Sequence, residues 1–138
     1  MAPRVDPPVT PPPSTRDEIR VFTELVNQHR RKVGCKELTW VSAIADVAQK
    51  HSEDMSRNNF FSHTNQQGKT PFDRLRAAGI VYTAAAENIA EGQRTAEQVL
   101  ASWLSSSGHR HNIEDCRMLQ HGLGLANNYW THMFVRMR

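Results

Sequence analysis

Long apolar runs are missing from this chain. No stretch approaches the roughly 18 to 20 consecutive apolar residues that a bilayer-crossing helix needs, and Met1 is followed by prolines instead of a hydrophobic signal segment. Proline is nearly absent after residue 13: six of the seven prolines fall in MAPRVDPPVTPPP, and only Pro71 lies beyond it. Cysteine is scarce, with Cys35 and Cys116 alone. A dominant charge is lacking too, since 17 Lys and Arg against 14 Asp and Glu leave a net +3. The densest cationic cluster, Arg30-Arg31-Lys32, reads as the last turn of a helix, where cations oppose the macrodipole. Charge spread in this way argues against a nucleic-acid partner, which would require a concentrated basic face.

The proline-rich start has few backbone donors and no apolar periodicity. Residues 1–14 are therefore expected to form an extended linker, and residues 15–138, about 124 in number, one compact domain. The two cysteines have no CxxC pairing. In a reducing compartment they would be small core residues; in an exported protein a pair this far apart would form a disulfide worth about 4 kcal/mol in the chain-entropy model. The spacing leaves both readings open.

Local signals divide the domain into elements. Thr15-Arg-Asp-Glu18 has the form of a capping box, followed at helical spacing by Ile19, Phe22, Leu25, Val26 and His29, with Gly34 as terminator. Leu38-Thr-Trp40 reads as a short apolar link. Ser42 is expected to cap a second helix to about Asn58, whose inward stripe of Ala45, Ala48, His51, Ser52 and Met55 is small enough to let a neighbouring layer come close. Thr70 caps a third helix with Pro71 at its first position. Ile80–Thr83 and Glu87–Ala90 read as short extended pieces around an alanine triplet. Thr95-Ala-Glu-Gln98 opens a helix that stops at the Ser-Ser-Ser-Gly run. Alternation on both sides of Asn127-Asn128 predicts an antiparallel hairpin. The pattern is α+β, with helices covering a small antiparallel sheet.

Seven histidines are the most informative side chains. His29 and His51 lie on helical faces, and His121 and His132 are placed at strand edges, all four read as structural. His63 follows two phenylalanines at a helix-to-loop transition, where a rigid element presents a side chain to a cleft. His109 and His111 follow Gly108; in extended chain such a pair would put both imidazoles on one side. HExxH, GxSxG, GxGxxG and phosphate-loop motifs are all absent, which disfavours the common cofactor folds. From chemistry alone, His63, Glu87 and His109 could build a three-ligand zinc site or a His-Glu acid/base pair.

FFSHT (60–64), GKTPFDRL (68–75), AAENIAEG (85–92), WLSSSGHRHNI (103–113), GLGLA (122–126) and YWTHMF (129–134) resemble, in order and spacing, the bacterial branch of the CAP superfamily, the SCP-like domains related to cysteine-rich secretory and pathogenesis-related proteins. The resemblance implies an α-β-α sandwich with a small antiparallel sheet between helical layers. It also implies a cleft in which His63 and His109 hold a divalent metal such as Zn2+, with Glu87, Asn88 and Asn112 orienting these ligands through hydrogen bonds. Ser105 or Ser106 stands where animal and plant relatives carry a second acid, which removes half of a possible carboxylate pair. The resemblance further implies export, a Cys35–Cys116 disulfide and a signal segment missing from the chain as read. The expected function is a monomeric, non-enzymatic binding module for a small lipid-like or peptide ligand; the alternatives are a zinc-dependent hydrolase of peptide or cell-wall substrates and a structural envelope protein.

Overall fold

A computed structural model describes residues 14–138. The expected linker therefore lies outside the described residues except for Ser14, which belongs to the domain. In chain order the elements are α1 (Thr15–Lys32), β1 (Thr39–Trp40), α2 (Ser42–Asn58), α3 (Pro71–Ala77), β2 (Tyr82–Glu91), α4 (Ala96–Leu104), α5 (Ser107–Ile113), β3 (Gln120–Ala126) and β4 (Tyr129–Met137). The sheet order is β1-β3-β4-β2. The β3-β4 and β4-β2 pairs are antiparallel. The predicted apolar link supplies β1, which pairs parallel to β3 and makes the sheet mixed.

Both faces of the sheet are covered, as an α-β-α sandwich requires. On one face Phe22, Val26, Val99, Trp103 and Ile113 from α1, α4 and α5 pack with Trp130 and Phe134. On the other, Ile44, Val47, Ala48 and Leu75 from α2 and α3 pack with Met133 and Val135. The α2 contact is unusually close. A Cβ at Gly122 would lie 2.2 Å from the Ala45 backbone nitrogen, and one at Gly124 would lie 2.5 Å from the Ala48 carbonyl carbon. The alternating glycines of β3 and the small stripe of α2 thus specify each other, and Gln49 seals the contact by bonding both the N–H and the C=O of Leu125.

Several expected helix starts and strands differ in detail. Ser14, not Thr15, caps α1 through the Asp17 N–H; Glu18 is buried and accepts from the Ala96 N–H at the start of α4. Val41, not Ser42, stands at the N-cap of α2, with no side-chain cap bond. Thr70 and Asp73 form a reciprocal capping box, and Thr95 caps α4 through the Gln98 N–H. The two short pieces expected around the alanine triplet are one continuous strand, β2. Asn127 and Asn128 turn the hairpin with φ of 47° and 64°, the left-handed pair that a two-residue turn demands.

Cys35 and Cys116 form a disulfide, and a second tie lies beneath it. Arg30 is fully buried, and its guanidinium donates to the carbonyls of Lys36, Ile113, Asp115 and Met118 at 2.7 to 3.0 Å. These carbonyls flank the two cysteines, so the chain around each is held twice.

Candidate functional site

The site is assembled on two consecutive residues of β2. Side chains alternate across a strand, so Glu87 and Asn88 reach opposite faces of the sheet. Glu87 Oε1 accepts from His63 Nδ1 at 2.8 Å, and Oε2 from Arg74 at 3.1 Å. On the other face Asn88 donates to the His109 carbonyl at 3.0 Å and accepts from Asn112 at 2.9 Å. One dipeptide therefore tethers the α2–α3 loop carrying His63 and the helix α5 carrying His109, so that both imidazoles stand at the outer edge of β2.

Each carrier is fixed locally. Asn59 ends α2 in the left-handed region (φ 51°), and His51 Nε2 donates to the Ser62 carbonyl at 2.8 Å, which pins the residue before His63. Burial holds His51 below the usual histidine range, favouring the neutral ring in this role. Arg74 donates to the His63 carbonyl as well as to Glu87, so α3 grips the loop at both main chain and side chain. On the opposite side Ser106 spends its hydroxyl on His109 Nδ1 at 2.9 Å, and α5 consequently has no side-chain cap bond. His109 is held below its ordinary pKa, first by burial and then by the nearby His63.

Both imidazoles are thus engaged at Nδ1, which leaves each Nε2 for something else. His63 is half exposed (50%), whereas the Glu87 side chain is 1% exposed. The Glu87 carboxylate is turned to His63 and Arg74 and is closed to solvent. Among the described residues no group of three or more His, Cys, Asp and Glu side chains is arranged to hold a metal, so the three-ligand set His63, Glu87 and His109 does not form. Neither Nε2 has a hydrogen-bond partner among the described residues, and two such imidazole nitrogens are the donor type that a cation completing its shell with water or ligand atoms would take. A hollow of about 320 Å³ adjoins His109, lined by Phe61, Ile89, Trp103 and Ser106 among others but not by His63. A wider one of about 610 Å³ lies between α1 and α4 over Leu25, Leu100 and Leu104, and includes none of the cleft residues.

The other histidines go elsewhere. His111 lies two residues from His109 on a helix, about 200° around the axis, and is exposed on another surface beside Asp115, Cys116 and Arg117. His29 meets Glu114 at 2.8 Å. His121 and His132, expected at strand edges, are fully buried and bond each other. Arg74 carries no role in the sequence reading; His51 is expected there only as a structural face residue, and Ser106 only as one of two serines at the place of a second acid. Arg74 lies inside the GKTPFDRL run, and its spacing from the Thr70 cap places it on the first turns of α3.

The sequence profile of the cysteine-rich secretory protein family, CAP, matches residues 23–135. The chain is 38% identical over 114 residues to YkwD of Bacillus subtilis (strain 168), an alignment covering 81% of this chain and 44% of that protein. An extracellular protein containing an SCP domain from Bacillus anthracis str. Ames superposes with a TM-score of 0.85 at 32% identity, over 95% of this chain and 45% of that one. An outer surface protein from Borrelia burgdorferi shares the fold with a TM-score of 0.83 at 18% identity, over 91% and 96% of the two chains. The chain thus spans less than half the length of the two Bacillus proteins.

Proposed function

The chain belongs to the cysteine-rich secretory protein (CAP) family, and from that premise we propose that it acts as an exported, non-enzymatic binding module whose cleft takes a divalent cation such as zinc together with a small apolar or peptide ligand. The observation that carries this reading is the division of labour at the two imidazoles. Each Nδ1 is committed to the protein, to Glu87 in His63 and to Ser106 in His109, and each Nε2 is left for a cation. Bound there, zinc would supply a Lewis acid able to polarise a ligand carbonyl. Glu87, Ser106 and Asn88 orient the donors, as partners behind metal-binding histidines do.

The same geometry speaks against Glu87 as the general base of a hydrolase. Its oxygens accept from His63 and Arg74 and its side chain is closed to solvent, so an attacking water has no access to them. The second acid that animal and plant relatives carry in the cleft is replaced by Ser105 or Ser106, and Ser106 is engaged with His109.

A calorimetric zinc titration at pH 7.5 and pH 5, on the wild type and on His63→Ala and His109→Ala, tests the reading. Saturable uptake at pH 7.5 should weaken by more than about tenfold at pH 5, because the donors must be neutral, and should vanish in both variants. Equal affinity at the two pH values would overturn ligation by the imidazoles. Turnover of a peptide or cell-wall substrate that is lost in Glu87→Gln would overturn the non-enzymatic reading.

A further inference from the structure

β2 lies at the outside of the sheet, paired to β4 alone, and the register shows which of its main-chain groups face outward. Leu125 gives its N–H and C=O to Gln49, on the side of β3 away from β4. The alternation of an antiparallel ladder then makes Gly124 and Thr131 a bonded pair. Thr131 therefore turns toward β3, and its neighbour Ile89 turns its N–H and C=O away from β4. The Trp103 indole, donating to the Ile89 carbonyl at 3.0 Å, agrees with that orientation. Val135 likewise bonds toward the β3 side, accepting from the Leu119 N–H, so its partner Ala85 faces outward, and Glu87 follows by parity.

Sheet edges are ordinarily guarded by charge, proline, a bulge or a covering side chain. β2 has an irregularity at Thr83 and Trp103 over Ile89. Between them lie three small alanines, Glu87, whose charge is turned inward, and Asn88, which is fully buried and bonded to the His109 carbonyl. Among the described residues no hydrogen bond outside the strand ladder reaches the main chain of Ala85 or Glu87. Glu87 as a whole is 7% exposed although its side chain is 1% exposed, so what solvent sees is its backbone.

We propose that this edge takes an uncharged, extended peptide as an added strand, paired to the main chain of Ala85 and Glu87. A strand laid there runs past His63 and His109, and one of its side chains enters the hollow between Phe61 and Trp103. An acyl chain cannot answer outward amides and carbonyls two residues apart, whereas another main chain answers both. The proposal rests on the binding-module reading for its choice of cleft, while the pairing itself uses no imidazole.

The test is an amide-resolved NMR titration of the whole chain with a capped hexapeptide alternating valine and threonine. Saturable shifts at the Ala85 and Glu87 amides, with exchange slowed at least about tenfold, are expected. N-methylation of the peptide amides that face β2 should weaken binding about tenfold or more, and methylation of the alternate set should not. Ala85→Pro removes an outward N–H and leaves the β4 ladder intact, so it should weaken binding to the same degree. Unchanged binding in that variant, indifference to which amides are methylated, or amides already protected in the free monomer would overturn the proposal. A concentration-dependent dimer protecting the same amides would overturn it in favour of a second copy of the chain. Peptide pairing that persists in His63→Ala while zinc uptake is absent would separate this proposal from the cation reading.

Discussion

His121 and His132 face each other across β3 and β4, with His121 Nδ1 2.9 Å from His132 Nε2 and both residues closed to solvent. His63 and His109 stand at the rim of the same sheet, with their Nδ1 atoms bonded to Glu87 and Ser106. The buried pair is hemmed in by Phe22, Trp103 and Phe134, and its outer nitrogens, His121 Nε2 and His132 Nδ1, have no partner among the described residues. Burial, with Arg30 nearby, pushes His121 down to about 4 and His132 well below its ordinary value. One residue type thus serves as a neutral core group where its spare nitrogen is buried among aromatic side chains, and under the proposed function as a cation donor where that nitrogen is left at the rim of the sheet. The environment of the second nitrogen decides which.

The severest way to disturb the closed pair is to remove the cation beside it. Arg30→Met should cost about 3 to 5 kcal/mol in denaturant unfolding, because four buried carbonyls lose their donor. The loss should appear even with the disulfide intact, because the disulfide holds the same segments but supplies no donor to those carbonyls. Little change in the unfolding midpoint would mean that water takes over those carbonyls.

Acid should separate the two pairs next. A histidine with a depressed folded pKa binds fewer protons than its unfolded counterpart, so the stability it contributes is present above pH 6.5 and is lost as pH falls toward the folded value. For His121 the window runs from about 6.5 to about 4, a loss of about 3 kcal/mol across it. His132 acts in the same direction. Denaturant midpoints measured from pH 7 to pH 4 should fall most steeply in this window, and the slope should flatten in His132→Phe. An identical slope in that variant would take His132 out of the acid response and leave it to His121, or to His51 and His109, which are also depressed.

Glu87→Gln acts at the open pair and should cost about 1 to 3 kcal/mol, since Arg74, only 12% exposed, loses its counter-charge. Thermal unfolding measures the cost. Its size relative to Arg30→Met reports how much of the cleft network is structural.

Which of these contacts could be read in advance depends on their distance along the chain. The Thr70 cap, the Asn127-Asn128 turn and the small stripe of α2 are short-range patterns, and the sequence predicts them directly. Glu18 looked like half of a local capping box because Thr15 lies three residues before it, yet its carboxylate caps α4, 78 residues away. His121 and His132 were assigned to edges because alternation names a face without saying that both faces are covered. His109 and His111 looked like one side of a strand, but the serine run before them starts a helix at Ser107, and the period changes from 2 to 3.6. His63, Glu87 and His109 were named from residue chemistry and then by resemblance, Asn88 and Asn112 by resemblance alone; that Glu87 and Asn88 tether the cleft from opposite faces follows only once β2 is a single strand.

The mildest change makes the sharpest contrast. His63 is half exposed, and its one side-chain bond is to Glu87, which keeps Arg74 as a partner when the imidazole is gone. His63→Ala should therefore cost less than about 1 kcal/mol in thermal unfolding, far below the cost of Arg30→Met, while zinc uptake at pH 7.5 is lost. Truncating a histidine of the buried pair leaves its partner's nitrogen orphaned in the core and should show the reverse, a cost of about 1 to 3 kcal/mol with zinc uptake intact. If His63→Ala destabilises the fold as much as His132→Phe does, the rim pair is a structural network like the buried one, and its free nitrogens say nothing about a ligand.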